Sequence, residues 1–446
     1  MENLLIKKSH IREFAKINVG GYKHVFVMLV SAVLACNKTV TLENVPKIYD
    51  TNVILAILQY IGKKYKYCDN SLTIFKGPVN RSAIPDDLSS TIHGSIYLFI
   101  ALVIASHKGS FTTSGGCVIG TDETKSSRPE HHFFEVMEMF GINIVEDRSG
   151  VKYARYENLS PRTINIQEFV SDSSTVSSNL YSGATKAAIL CSIGVRTGSV
   201  KIKHPYLKPD VTELLAFMLL IGYKISLSKD NKVLKISYPV ISVGEHFVYR
   251  VMPDIAEIIS FVSYAIFNHT DLELLFEDQK KVKTGLQSEF KYLKQMKVPF
   301  KWERSGLLVL GRQYPDIDPV DIVVTSNSIF SDSQPFFAIM ALCSRKASKI
   351  REGIWVSRFQ YAEQAQKMGF PWRIEDDTLK ILPWSPFMIK QTEKVLATDL
   401  RAAFALLILS VSTQNHIIIE DFYHVHRGYG DIYEKMDLLG IDYEIR

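Results

Sequence analysis

A two-part pattern recurs six times along this chain, and a repeat of that kind restricts the available folds more than any single motif. The first part is an apolar helix end, a Leu, Met, Phe or Ile followed by glycine, and then a strand-like run. It reads LQYIGKKYKY at 58–67, VMEMFGINIV at 136–145 and FMLLIGYKIS at 217–226. It returns as YLKQMKVPFKW at 292–302, AQKMGFPWRI at 365–374 and MDLLGIDYEI at 436–445. The marker positions Gly62, Gly141, Gly222, Lys297, Gly369 and Gly440 lie 79, 81, 75, 72 and 71 residues apart. Glycine is the expected residue just past a helix end, because it enters the left-handed region without a Cβ penalty. Lys297 therefore predicts that the fourth of these helices ends differently.

The second part is a small-residue-rich apolar helix, a short polar turn and an alternating strand. Copies begin at Lys23, Gly94, Ala184, Glu257, Ser333 and Leu400. These helices are apolar nearly all round, the mark of burial, whereas each following strand alternates and is half buried. The chain is thus an α/β protein of six βαβαββ-type units, three per domain, with the buried helices inside and the sheets outside. A boundary near Val251-Met252-Pro253-Asp254 gives a first domain of 22–251. The second is 252–446 together with 1–21, since the segment before Tyr22 precedes the first unit and packs with the last.

Composition narrows the functional classes. The chain has 446 residues, 46% hydrophobic and 22% charged, enough for two or three cored domains. The net charge of +5, from 52 basic and 47 acidic residues, comes without a dense basic run. That argues against a nucleic-acid partner and suits a small anionic substrate held by a few placed cations. Cys36, Cys68, Cys117, Cys191 and Cys343 are scattered and lack CxxC spacing, so neither a disulfide framework nor a zinc site is expected. His131, His132, His424 and His426 have weak metal-ligand spacing and are expected in the cleft or on the surface. The amino terminus has no apolar signal region, and the longest apolar stretch, Val25 to Cys36, is about twelve residues, too short for a membrane span. The expectation is a soluble, cytoplasmic protein without a membrane partner.

Several local motifs coincide with this repeat. ATDLRAAFALLIL at 397–409 and HVHRGYGDIYEKMDLLG at 424–440 are the strongest, joined by SGGCVIG at 114–120, YRVMPD at 249–254 and FSDSQ at 330–334. Together they resemble the enolpyruvyl transferases, the family of UDP-N-acetylglucosamine 1-carboxyvinyltransferase and 5-enolpyruvylshikimate-3-phosphate synthase, and more closely the former. The resemblance runs from about Gly20 to the last residue. It implies two inside-out α/β barrel domains (an α/β prism), with the active site in the cleft between them. It also implies transfer of the enolpyruvyl group of phosphoenolpyruvate to an acceptor hydroxyl, with release of phosphate. Such an addition and elimination needs cations for phosphate and carboxylate, an acid for C3 and a base for the hydroxyl, but no metal or other cofactor.

By this resemblance Cys117, in a Gly-, Ser- and Thr-rich segment able to close over substrate, acts as acid or assists product release; the bland alternative is a packed thiol. Asp332 matches the catalytic aspartate, the candidate base, although its position before a helix also suits an N-cap. Arg401 and Arg427 match arginines that grip phosphoenolpyruvate, and Arg401 is also assigned to catalysis. Arg128 matches the loop arginine on the phosphate, and Arg358 a cleft arginine on the acceptor. Arginine suits these groups because its planar fork donates paired hydrogen bonds, but any one of these arginines would otherwise be a surface charge worth little.

The match breaks on the acceptor side. The family's Gly-x-Lys-Asn-Ala-Ala reads GGYKHVF here, so the ungapped match puts Tyr22 at the phosphate lysine and Lys23 at the asparagine. A one-residue slip returns Lys23 to phosphoenolpyruvate. An arginine of the family becomes His93, the uridine and diphosphate segment RPVDLH reads RPEHHF, and K-V-S-V-G appears as Asn179 to Gly183. His93, Ser182 and Gly183 are the acceptor-side candidates. Three readings follow: an altered site for a UDP-N-acetylglucosamine-like nucleotide; another acceptor, such as UMP in nucleoside-antibiotic biosynthesis; or a catalytically inactive relative that only binds a nucleotide sugar.

Overall fold

The computed structural model describes residues 2–116, 130–169, 182–239, 244–313, 317–355, 358–390, 392–413 and 415–446. Each repeat contributes two helices: α1 (Lys23–Cys36) and α2 (Tyr49–Tyr60), α3 (Ser95–Ser106) and α4 (His131–Met139), α5 (Ser182–Gly194) and α6 (Pro209–Leu220) in the first three. The last three contribute α7 (Ile255–Phe267) and α8 (Gln287–Gln295), α9 (Gln334–Ala341) and α10 (Gln360–Lys367), α11 (Leu400–Ser412) and α12 (Ile432–Leu439).

The odd-numbered helices carry the apolar runs. Every residue of α7 is buried, as are Val25 to Ala35 of α1. Helices α1, α3 and α5 pack on one another, and α7, α9 and α11 form a second trio. A helix without a polar face has no stable place except among other helices, which is why the trios sit at the centres of the two halves. Asp254 and Asp399 cap α7 and α11, each accepting from two backbone N–H groups of the first turn.

The sheets follow one plan. In the first unit the hairpin Tyr65–Cys68 and Ser71–Ile74 continues antiparallel to Thr39–Glu43, and a parallel strand, His246–Arg250, completes the edge. Six sheets form among the described residues, five of four strands and one of three, and all are open. No closed barrel forms among them, so the expected barrel is not one of hydrogen-bonded strands.

In the third, fifth and sixth units the parallel strand immediately precedes the unit's own first helix. The first and fourth units exchange theirs. Phe14–Asn18, which leads into α1, pairs with Asp271–Leu275 of the fourth unit, while His246–Arg250, which leads into α7, pairs with the first. The chain therefore passes twice between the halves, along 19–22 and 251–254. The two passages hydrogen-bond to each other through Tyr22 N to Met252 O (2.8 Å) and Asp254 N to Gly20 O (2.8 Å). The sixth sheet lacks a second hairpin strand of its own, and Leu4–Ile6 fills the gap, antiparallel to both Ile417–Glu420 and Tyr443–Ile445.

One expectation fails at Lys297. All six marker residues take positive φ, from 58° at Lys297 to 102° at Gly222. The fourth helix ends like the others: Val298 N reaches Leu293 O at 2.9 Å, as Lys63 N reaches Leu58 O at 2.9 Å. The closing hydrogen bonds of the motif outweigh a left-handed penalty of about 1–2 kcal/mol for a residue with a Cβ. Lys297→Gly should accordingly stabilise the protein by about 0.5–1 kcal/mol. The check is a higher urea midpoint at unchanged slope.

Candidate active site

The residues singled out in the second half converge on one carboxylate. Asp332 Oδ1 lies 2.8 Å from Arg358 Nη1, and its Oδ2 lies 2.9 Å from Arg401 Nη2 and 3.6 Å from His24 Nε2. Arg358 and Arg401 are both buried, and each has a further anchor. Arg358 Nη1 donates to Ser331 Oγ at 3.0 Å, and that hydroxyl donates to Glu352 at 2.8 Å. Arg401 Nη1 donates to the Tyr429 hydroxyl at 3.2 Å, which pairs with Ser260 at 2.6 Å. Burial alone would raise the Asp332 pKa, but Arg401 and Arg358 outweigh it and hold the carboxyl well below the usual carboxylate range. Asp332 does not cap the next helix; α9 starts after Ser333 without a side-chain cap.

A second cluster joins the halves. Asp50, in the first turn of α2, accepts from Arg427 Nε at 3.2 Å and pairs with Lys23 Nζ at 3.1 Å. Lys23 also donates to the Arg427 carbonyl at 3.0 Å, and Arg427 Nη2 donates to Thr91 O at 3.1 Å. Lys23, rather than Tyr22, is the residue that reaches this cationic pair. Tyr22 is buried against the His24 ring.

The acceptor-side candidates line the first half. Helix α5 starts at Ser182, and Gly183 packs so tightly that a Cβ there would stand 2.2 Å from His132 Nε2. His93 Nδ1 lies 3.2 Å from Ser114 Oγ, and its Cβ lies 3.2 Å from where a Gly116 Cβ would sit. It thus braces the start of the segment that carries Cys117. Cys117 and Arg128 themselves fall outside the described residues. Among the four histidines, His132 is buried against Gly183, and His426 pairs with Glu2 at 2.9 Å. Among the described residues no group of three or more His, Cys, Asp or Glu side chains is placed to hold a metal ion. No helix among them is long and apolar enough to cross a membrane.

Four participants escaped the sequence reading. Asp50 carries no motif of its own, and His24 lies in GGYKHVF, where the one-residue slip that moves Lys23 to the lysine position moves His24 to the asparagine. Lys186 and Asp210 form a buried ion pair, with Lys186 Nζ 5.4 Å from the Tyr97 ring centre. A lysine inside the apolar stretch GATKAAIL was the available signal, since lysine is almost never fully buried without a partner.

The family model for EPSP synthase (3-phosphoshikimate 1-carboxyvinyltransferase) matches residues 13–436. The chain belongs to that family. As an enolpyruvyl transferase family member it has curated relatives of full length. It is 26% identical to UDP-N-acetylglucosamine 1-carboxyvinyltransferase 1 of Carboxydothermus hydrogenoformans, over 99% of this chain and 97% of the relative. It is 24% identical to UDP-N-acetylglucosamine 1-carboxyvinyltransferase of Finegoldia magna, over 100% and 99%. Among solved structures, the enolpyruvyl transferase NikO from Streptomyces tendae superposes with a TM-score of 0.89 at 26% identity, covering 100% of this chain and 99% of that one. EPSP synthase from Acinetobacter baumannii, at 15% identity and a TM-score of 0.73, shares the fold.

Proposed function

We propose that this enzyme transfers the enolpyruvyl group of phosphoenolpyruvate to a hydroxyl of a nucleotide or nucleotide-sugar acceptor and releases phosphate. The observation that carries this reading is a pair of cationic clusters, one joining Lys23 and Asp50 to Arg427 and one in the second half that His24 of the first half reaches. Lys23 and Arg427 share Asp50, while Arg358 and Arg401 share Asp332. The first pair suits the phosphate of phosphoenolpyruvate, and Arg401 suits its carboxylate. Asp332 is the carboxylate that the acceptor hydroxyl meets. Residues 22–251 form one domain and 1–21 with 252–446 the other, each an α/β prism of sheets around a helix trio, with the site in the cleft between them. Cys117 and Arg128 complete the site from the segment that His93 and Ser114 anchor, Cys117 as acid or product-release group and Arg128 on the phosphate. His93, Ser182 and Gly183 border the acceptor, and the protein works in the cytoplasm.

A UDP-N-acetylglucosamine-like acceptor is the first reading, supported by the curated relatives. A different nucleotide is the second, supported by the departures from the family's acceptor-side motifs at His93, in RPEHHF and at Asn179 to Gly183. Phosphate release from phosphoenolpyruvate is the test, run against UDP-N-acetylglucosamine, UMP, UDP and shikimate 3-phosphate, with Cys117→Ala alongside. Acceptor-dependent release that collapses in the variant supports transfer and names the acceptor. Folded protein that fails to bind phosphoenolpyruvate in a calorimeter sinks the enzyme reading.

A further inference from the structure

Asp332 is poorly suited to accept a proton. Two buried guanidiniums already occupy its oxygens, and a carboxylate so held has little basicity left. The neighbouring group is better suited. His24, in the first turn of α1, places Nε2 at 3.6 Å from Asp332 Oδ2, with its ring edge against Tyr22 and about two-fifths of its side chain exposed to the cleft. An acceptor hydroxyl about 2.8 Å from Nε2 donates its single hydrogen there, and the imidazolium that results faces Asp332 Oδ2.

We infer that His24, rather than Asp332, is the base that removes the acceptor proton, with Asp332 as the counter-charge that pairs with the imidazolium. This rests on the transfer reading above. The acceptor O–H proton moves to His24 Nε2 while the oxygen lone pair bonds to C2 of phosphoenolpyruvate, and the C2–C3 π pair takes a proton at C3 from the acid of the site. In the elimination the deprotonated acid takes a C3 proton back, the C3–H pair re-forms the double bond as the C2–O bond to phosphate breaks, and the departing phosphate accepts the proton held by His24. The groups facing His24 favour its basic form at neutral pH. Burial lowers the imidazole pKa most, Asp332 opposes it, and Lys23 and Lys186 lower it further. Asp210 lies near enough to feel the ring.

The experiment pairs kinetics with a direct titration. In His24→Asn and His24→Gln, kcat with the acceptor that the wild type uses should fall tenfold or more, on the order of 10²-fold. Phosphoenolpyruvate affinity should stay within about threefold, and the acidic limb of the kcat profile should vanish. A smaller fall, or the same limb in His24→Gln, overturns the assignment. Independently, the His24 ring is titrated by NMR in the full chain, its signal identified by loss in His24→Asn. Asp332→Asn should lower that titration by about a unit, because the carboxylate that most opposes deprotonation is gone. An unmoved titration overturns the dyad even if no acceptor in the panel turns over. Failure of the transfer reading would show separately, as wild-type protein that does not bind phosphoenolpyruvate.

Discussion

Asp332→Asn should reduce turnover by roughly 10²-fold while leaving the protein folded, because the proton-accepting group loses the carboxylate that stabilises its charged form. The amide keeps the size and one acceptor oxygen, so Arg358 or Arg401 can still be met, but not both as charge partners. The proton acceptor His24 loses its counter-charge. Stability should also fall, by about 1–3 kcal/mol, because two buried guanidiniums are left facing a neutral group. This figure lies below that for a fully buried pair because Asp332 retains 24% side-chain exposure. The pH dependence has a definite sign. The folded-state pKa of Asp332 is depressed, so its stabilisation is fully present above the ordinary carboxylate range and is lost as pH falls through the folded value. The stability gap between wild type and variant should therefore be constant from neutral pH down to about 4 and close below it. Urea titrations at pH 7, 5 and 3.5 provide the check, and a gap that widens toward acid would show that the arginines are not its source.

Lys186→Met is expected to be the more severe lesion for folding, at about 3–5 kcal/mol, since it leaves Asp210 charged and unpaired in the interior. Lys186 and Asp210 are 6% and 5% exposed, so water cannot replace the lost partner. In the native pair, burial alone would lower the lysine pKa and raise that of the aspartate, but their mutual attraction outweighs it in both cases. Without the lysine, burial dominates and the Asp210 pKa rises above its unfolded value. The variant should then regain stability relative to wild type as pH falls from 7 towards 5, because protonation removes the buried charge. The double variant Lys186→Met with Asp210→Leu should recover to within about 1–2 kcal/mol of wild type, as replacement of a buried ion pair by apolar groups often does. Calorimetric scans of both variants at pH 7 and pH 5 decide it. A double variant no more stable than the single one would mean that the charges make other essential contacts.

The alternation of two helix classes and the six marker positions were legible from hydrophobic pattern and spacing alone. They are local properties: a helix apolar on every side must be buried wherever it lies, and a helix ending in glycine needs only its neighbours to close. Arg401, Arg427, Arg358 and Asp332 were legible through short motifs, and the ion pairs at Asp332 join three of these with His24. What the chain order hid is what depends on distant partners. The strands before α1 and α7 look like the other lead strands, yet they exchange sheets, because pairing is decided by which edge is free when the halves meet. Lys297 breaks a local preference, and the hydrogen bonds that end its helix outweigh the penalty. Asp50, Lys186 and Asp210 carry no motif, since a charge gains its role only from the opposite charge the fold sets beside it. Local periodicity determined the architecture of this protein, and tertiary structure decided which charges face one another across its cleft, because Coulombic pairing depends on distance in space and is blind to distance along the chain.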